Sequence, residues 1–157
     1  MSVFKYVWKE VIKIDIKLCP TATTDLPEYA TEGSAGFDLT IDTSKETVLE
    51  PNVSQVFPAG IKVEIPKGYV GLIFPRSGLG TKGIVLTNTV GVIDSDYRGE
   101  IHLPLKNTSN EPYTFKPKER VAQMIIMPYT KVAFNIVCEE DLGNTERGNN
   151  GFGSTGK

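Results

Sequence analysis

The stretch GVIDSDYRGE, residues 91–100, sets two carboxylates, Asp94 and Asp96, directly after the apolar pair Val92 and Ile93 and directly before Tyr97 and Arg98. A carboxylate at the rim of an apolar segment can serve as a general base toward water. Two geometries fit the spacing. As a continuous strand, the stretch puts Asp94, Asp96, Arg98 and Glu100 on one face, a solvated ladder of mixed charge. As a bend, DSDYRG leaves Asp94 closing a strand beside Ile93, where its carboxylate can order one water for attack.

Other segments carry phosphate chemistry. In PRSGLG (75–80), Arg76 and Ser77 join a tight glycine turn. The planar fork of an arginine suits phosphate oxygens, although an arginine beside a turn is also an ordinary surface feature. In SAGFDL (34–39), Asp38 follows a small-residue turn, where aspartate is more often a cap or turn former than a metal neighbour. GLGTKG (78–83) spells GxGxxG, but the strand-like IVLTNTVGVID follows it where a dinucleotide fold needs a full helix. GFGSTGK (151–157) spells GxxxxGK without the closing Ser or Thr and without a helix after it. A Walker fold is not the expectation, while glycines and the donors Ser154, Thr155 and Lys157 still suit an anion.

The elements that must hold these residues are strands. Fifteen glycines and ten prolines punctuate the 157 residues, and between them lie runs of period two. IKIDIKL (12–18), IKVEI (61–65) and IHLPL (101–105) alternate, the last placing Ile101, Leu103 and Leu105 on one face. YVGLIF (69–74), VAQMIIM (121–127) and KVAFNIV (131–137) are continuously apolar and read as strands buried on both faces. PKG (66–68) and KPKE (116–119) read as turns, and SGLGTKG as one helical turn with Ser77 near its cap. Many short strands with regular turns predict an all-β sandwich, jelly roll or barrel in one domain.

A net charge of −2 gives no overall attraction to nucleic acid or to an anionic membrane. Cys19 and Cys138 lie far apart, and with the single His102 they form no zinc set, so free thiols in a reducing compartment are expected. The charged residues within positions 1–18 exclude a signal peptide or membrane span there. A cytoplasmic protein, or a nuclear one in a eukaryotic host, is the expectation.

Taken together, AGFDL (35–39), PRSGLG (75–80), GVIDSDYRGE (91–100), ERVAQM (119–124) and RGNNGFGSTG (147–156) resemble the five ordered motifs of the trimeric dUTPase family, the dUTP diphosphatases. The resemblance implies an antiparallel β jelly roll over residues 1–141, a mobile glycine-rich lid over 142–157, and a homotrimer with sites shared between subunits. It implies hydrolysis of dUTP to dUMP and pyrophosphate by water attack on the α-phosphorus. Matched by position, Asp94 becomes the base, Asn88 a uracil-hairpin residue, and Tyr97 the ring that packs on deoxyribose and excludes a 2′-hydroxyl. Arg76, Ser77, Gly78 and Gln123 become phosphate contacts. Phe152 and Gly153 join the uracil-covering lid, and Arg147, Ser154 and Thr155 reach the outer phosphates. Asp38 meets a phosphate-chelated Mg²⁺ only through water. Asn149 and Asn150 depart from the glycine the family commonly has. A dCTP deaminase and a non-catalytic nucleotide-binding relative share the fold; the VIDSDY segment and the phenylalanine-bearing tail favour the diphosphatase.

Overall fold

The computed structural model describes residues 13–21 and 25–151. Ten strands, a short helix and a 3-10 turn follow in chain order: β1 (Lys17–Pro20), β2 (Phe37–Thr40), β3 (Thr47–Leu49), β4 (Ser54–Glu64), β5 (Tyr69–Pro75), α1 (Ser77–Gly80), β6 (Ile84–Leu86), β7 (Gly91–Ile93), β8 (Glu100–Asn107), β9 (Tyr113–Phe115), β10 (Arg120–Pro128) and the 3-10 turn Glu139–Asp141. One sheet runs β1-β4-β8-β6, a second β2-β10-β5-β7, and β3 pairs β9. The strand pairs are antiparallel, so the expected all-β jelly-roll architecture is present. Among the described residues, no helix is long and apolar enough to cross a membrane.

Alternation builds the core. In β8, Ile101, Leu103 and Leu105 are buried while the residues between them are not, and in β4 Ile61 and Val63 point the same way. Phe57 and Phe115 meet edge to face with ring centroids 5.1 Å apart, and Tyr113 packs on Phe115 in the same way. Two expected turns form with left-handed residues at Gly68 and Lys118.

Two expectations are corrected. KVAFNIV (131–137) forms no strand: the last strand ends at Pro128, and Phe134 and Ile136 are 90% and 95% exposed. Its apolar residues satisfy the strand pattern, yet no described strand pairs with it. Asp38, read as a turn or cap residue, lies inside β2, a strand of four residues that is too short to announce itself by period.

One buried polar side chain ties the end of β8 to its surroundings. Asn107 is fully buried; its Nδ2 donates to the carbonyls of Leu49 and Glu111, at 2.9 and 2.7 Å. Its Oδ1 accepts from the Ser109 N–H and hydroxyl, at 2.9 and 2.7 Å. Every hydrogen-bonding position is filled, which is the condition for burying an amide without net cost. Asn107→Ala should therefore lower unfolding stability by about 2–4 kcal/mol in urea titrations, because the Leu49 carbonyl and the Ser109 N–H lose this partner and a buried cavity is left. A loss below about 1 kcal/mol would show that water takes over these bonds.

Candidate active site

Strand pairing assembles the first part of the site. Asp38 of β2 lies directly across from Gln123 of β10. The register slips between Arg120 and Ala122, so that Arg120 faces Thr40. In an unbroken ladder Val121 would occupy that place, and Arg120 would fall on the opposite face. The bulge thus moves Arg120 onto the face that carries Asp38 and Gln123 while Val121 turns into the core.

Asp38 is largely enclosed, with 12% of its side chain exposed, and bridges two guanidinium groups. Arg76 Nε lies 3.1 Å from one carboxylate oxygen and Arg120 Nη1 donates to the other at 3.0 Å. Arg76 Nη1 also donates to the Arg120 carbonyl at 3.3 Å, and the Arg76 N–H to the Val121 carbonyl at 3.4 Å. Gln123 Nε2 reaches the Pro75 carbonyl at 3.4 Å. The arginine is thereby held in one orientation, with one carboxylate against two cations, an arrangement that leaves net positive charge for an anion.

Asp38, Arg76, Ser77 and Gln123 line a cavity of about 280 Å³ together with Ser34 and Gly36. Gly36 leaves little room for a side chain: a Cβ there would stand 3.2 Å from the Met124 carbonyl oxygen and 3.3 Å from Gln123 Oε1. Arg76 caps α1 by position, with no side-chain cap bond; Ser77 is the first helical residue rather than the cap. Gly78 lines an adjoining hollow with Arg76, Ser77, Lys82, Tyr113 and Arg120. On its rim, burial and the bond from Tyr113 Oη to Glu119, at 2.6 Å, push the phenol up to about 12.

The second part of the site stands elsewhere. β7 joins the sheet of β5, whereas β6 and β8 belong to the other sheet, so residues 87–90 and 94–99 are crossovers between sheets. The bend geometry for DSDYRG is the one adopted: the Tyr97 N–H donates to the Asp94 carbonyl at 3.1 Å. Asp94 is exposed, and among the described residues nothing hydrogen-bonds or ion-pairs its carboxylate. Asn88 is exposed in the other crossover. There Thr89 has a φ of 62°, a left-handed backbone that disfavours a β-branched residue by about 1–3 kcal/mol and that concentrates at functional sites.

Register places the two parts far apart within the chain. Gly71 pairs with Ile93, which sets Asp94 beside Val70, while Arg76 lies just beyond the other end of β5. Six steps along the strand, from Val70 to Arg76, separate them, about 20 Å at the usual rise.

Arg147 lies in an exposed turn where its Nε donates to the Asn150 carbonyl at 2.8 Å. The left-handed position of that turn is Gly148, with φ 52°, so Asn149 and Asn150 are spared it. Phe152, Gly153, Ser154 and Thr155 lie outside the described residues. The sequence reading missed Arg120 and the strained Thr89. ERVAQM displays the arginine, but only the bulge shows which face it takes.

The dUTPase family model matches residues 22–156. The deoxyuridine 5′-triphosphate nucleotidohydrolase of Bordetella pertussis is 47% identical over 148 residues, covering 92% of this chain and 97% of that protein. The protein of the same name from Chromobacterium violaceum is 44% identical over 147 residues, with the same coverage. Among solved structures, a mutant dUTPase of Staphylococcus bacteriophage 80alpha with dUpNHpp superposes with a TM-score of 0.82 at 27% identity, covering 92% of this chain and all of that one. A further structure of the 80alpha dUTPase with the same compound gives 0.78 at 29% identity and the same coverage.

The carboxylate shared by two arginines sets a test. Asp38→Asn keeps the shape and removes the charge. Unfolding stability should fall by about 1–3 kcal/mol at low ionic strength, because two neighbouring cations lose their counter-charge. The loss should shrink as salt rises and screens them. Urea titrations at two salt concentrations read both effects; a loss independent of salt would assign Asp38 a packing role instead.

Proposed function

The chain belongs to the dUTPase family, and from that premise we propose that it hydrolyses dUTP to dUMP and pyrophosphate, removing a source of uracil from the DNA precursor pool. The observation that carries this reading is the convergence of Asp38, Arg76, Ser77 and Gln123, from three separate segments, on one small cavity whose Asp38 is also paired with Arg120. Arg76 offers its planar fork to phosphate oxygens, and Ser77, Gly78 and Gln123 complete the anion contacts. Asp94, free of any described partner, takes a proton from the attacking water, and the pentacoordinate α-phosphorus then releases pyrophosphate. Asn88 and its crossover present backbone donors and acceptors to uracil, and a site built on that pattern rejects bases that leave buried groups unpaired. The Tyr97 ring lies against deoxyribose and excludes a 2′-hydroxyl.

The two parts of the site come from different copies. Asp94 and Arg76 stand about 20 Å apart along β5, more than a triphosphate's α-phosphorus and its anion contacts can bridge within one chain. A homotrimer with sites at subunit boundaries supplies the missing half. The tail, residues 142–157, closes over the site, bringing Phe152 and Gly153 to uracil and Arg147, Ser154 and Thr155 to the outer phosphates. Closure excludes bulk water.

The donor set fits Mg²⁺ carried by the substrate. Among the described residues no three His, Cys, Asp or Glu side chains gather to hold an ion. Asp38 is the single carboxylate on the cavity, and both its oxygens already face arginines. Such a site suits a hard cation that keeps phosphate oxygens and water as ligands, with Asp38 hydrogen-bonded to one of those waters. When bound, Mg²⁺ supplies neutralisation of phosphate charge.

A nucleotide panel tests the activity. Pyrophosphate should form from dUTP and not appreciably from dTTP or UTP; ammonia from dCTP would mark a deaminase instead, and no product from any nucleotide a binding protein. The base and the shared site are tested together. Asp94→Asn and Arg76→Ala should each abolish most turnover. Unfolding and refolding an equal mixture of the two should restore activity to about a quarter of the sites, since one site in four then combines an intact Asp94 from one chain with an intact Arg76 from another. An inactive mixture, assembled normally, would place both residues in the same chain's site.

A further inference from the structure

The loop from Asp94 to Glu100 is bonded to itself. Arg98 Nη1 donates to the Ser95 and Tyr97 carbonyls, both at 2.8 Å, and Tyr97 Oη donates to the Glu100 carbonyl at 2.8 Å. His102 Nδ1 lies 2.9 Å from that same carbonyl, and the Glu100 carboxylate accepts from Thr21 Oγ1 at 2.6 Å. The carbonyl that fixes the Tyr97 hydroxyl is thus itself fixed.

To reach it, the Tyr97 ring folds back across Gly99. The space that a side chain at position 99 would fill is already taken by Tyr97 Oη, Cζ and Cε2, with a Cβ falling 2.9 Å from Cε2 and closer still to the other two atoms. Gly99 is not among the glycines with positive φ, which are Gly60, Gly68, Gly83 and Gly148. Its backbone is not left-handed, and the three nearest obstacles to a side chain all belong to the Tyr97 ring. Tyr97 keeps 41% of its surface exposed in this pose, so the ring is anchored at its hydroxyl end and open to a ligand elsewhere.

We propose that Gly99 is a positioning residue for sugar discrimination: its missing side chain is the slot that sets the Tyr97 ring at the depth where deoxyribose fits and a 2′-hydroxyl does not. The inference rests on the assignment of Tyr97 to the sugar. A methyl group at 99 lifts the ring, breaks the bond to the Glu100 carbonyl and leaves the ring free to yield to a larger sugar. The loss falls on sugar selection and on KM, because the backbone that carries Asp94 is unchanged.

The test is a cycle of four full-length enzymes: the wild type, Gly99→Ala, Tyr97→Ala and the double variant, each assayed with dUTP and UTP. Gly99→Ala should lower the ratio of kcat/KM for dUTP over UTP by about tenfold, mainly through KM for dUTP. Tyr97→Ala should lower it at least as far, and adding Gly99→Ala to Tyr97→Ala should change nothing further, since the ring is gone. An unchanged ratio in Gly99→Ala, with Tyr97→Ala impaired, overturns the positioning role alone. Losses that add in the double variant overturn it too, by showing that Gly99 acts apart from the ring. An unchanged ratio in Tyr97→Ala overturns the assignment of Tyr97 itself. Should Gly99→Ala lower the thermal midpoint or fail to fold, the steric account requires Tyr97→Ala to restore it; no restoration also overturns the proposal.

Discussion

One carboxylate held between two guanidinium groups organises the end of the sheet where the candidate cavity lies. Arg76 follows β5, Arg120 opens β10 and Asp38 sits in β2, so the ion pairs join three strands of one sheet at a common edge. Without Asp38 two cations would face each other across a partly dry pocket. With a second carboxylate there, no positive charge would remain for an anion. The balance of two to one keeps the arginines ordered before a ligand arrives, so that orientation is not charged against binding. Because Asp38 is nearly enclosed, this attraction is screened less than an exposed pair would be.

That balance depends on a backbone irregularity. An ideal β10 would send Arg120 to the opposite face, and the slip between Arg120 and Ala122 is what returns it. At the same slip Val121 and Ala122 are both buried as neighbours. A run such as VAQMIIM gains from this twice, with core burial on one side and a functional face on the other. Gly36 completes the arrangement, since any side chain there would press on the Met124 carbonyl and Gln123.

Much of this was legible in the sequence where a pattern is long enough to show a period. The strands through Ile61 to Ile65 and Ile101 to Leu105, the turns at Gly68 and Lys118, and the helical turn after Arg76 all follow from local chemistry. Strands of three or four residues, such as β2, β3 and β9, have no period to display, so Asp38 read as a turn residue. KVAFNIV misled for the opposite reason: a largely apolar run reports that a segment prefers cover, and within this chain no described strand covers it. The bulge and the left-handed Thr89 were invisible because both arise from register and crossover geometry, to which Thr or Arg as residue types give no clue. The acid-bearing loop was half legible. Its residues were evident, but the choice between ladder and bend is made by β7 and β8 joining different sheets.

The distance between Asp94 and Arg76 has a physical rationale of its own. A carboxylate within reach of an arginine forms an ion pair, as Asp38 does, and a paired carboxylate is a weaker base and a charge withdrawn from the anion site. A general base has to stay unpaired and poised, whereas an anion site has to stay positive. Placing the two at opposite ends of β5 keeps them from neutralising each other as the chain folds. Under the proposed roles it also leaves each half-site incomplete in isolation, since the base lacks a phosphate to serve and the arginine lacks a water to direct. On the proposed reading, assembly of copies joins the two halves, with the triphosphate's own negative charge standing between the carboxylate and the guanidinium. On that reading, the separation that keeps a lone chain from completing a site is the same feature that preserves both groups for use.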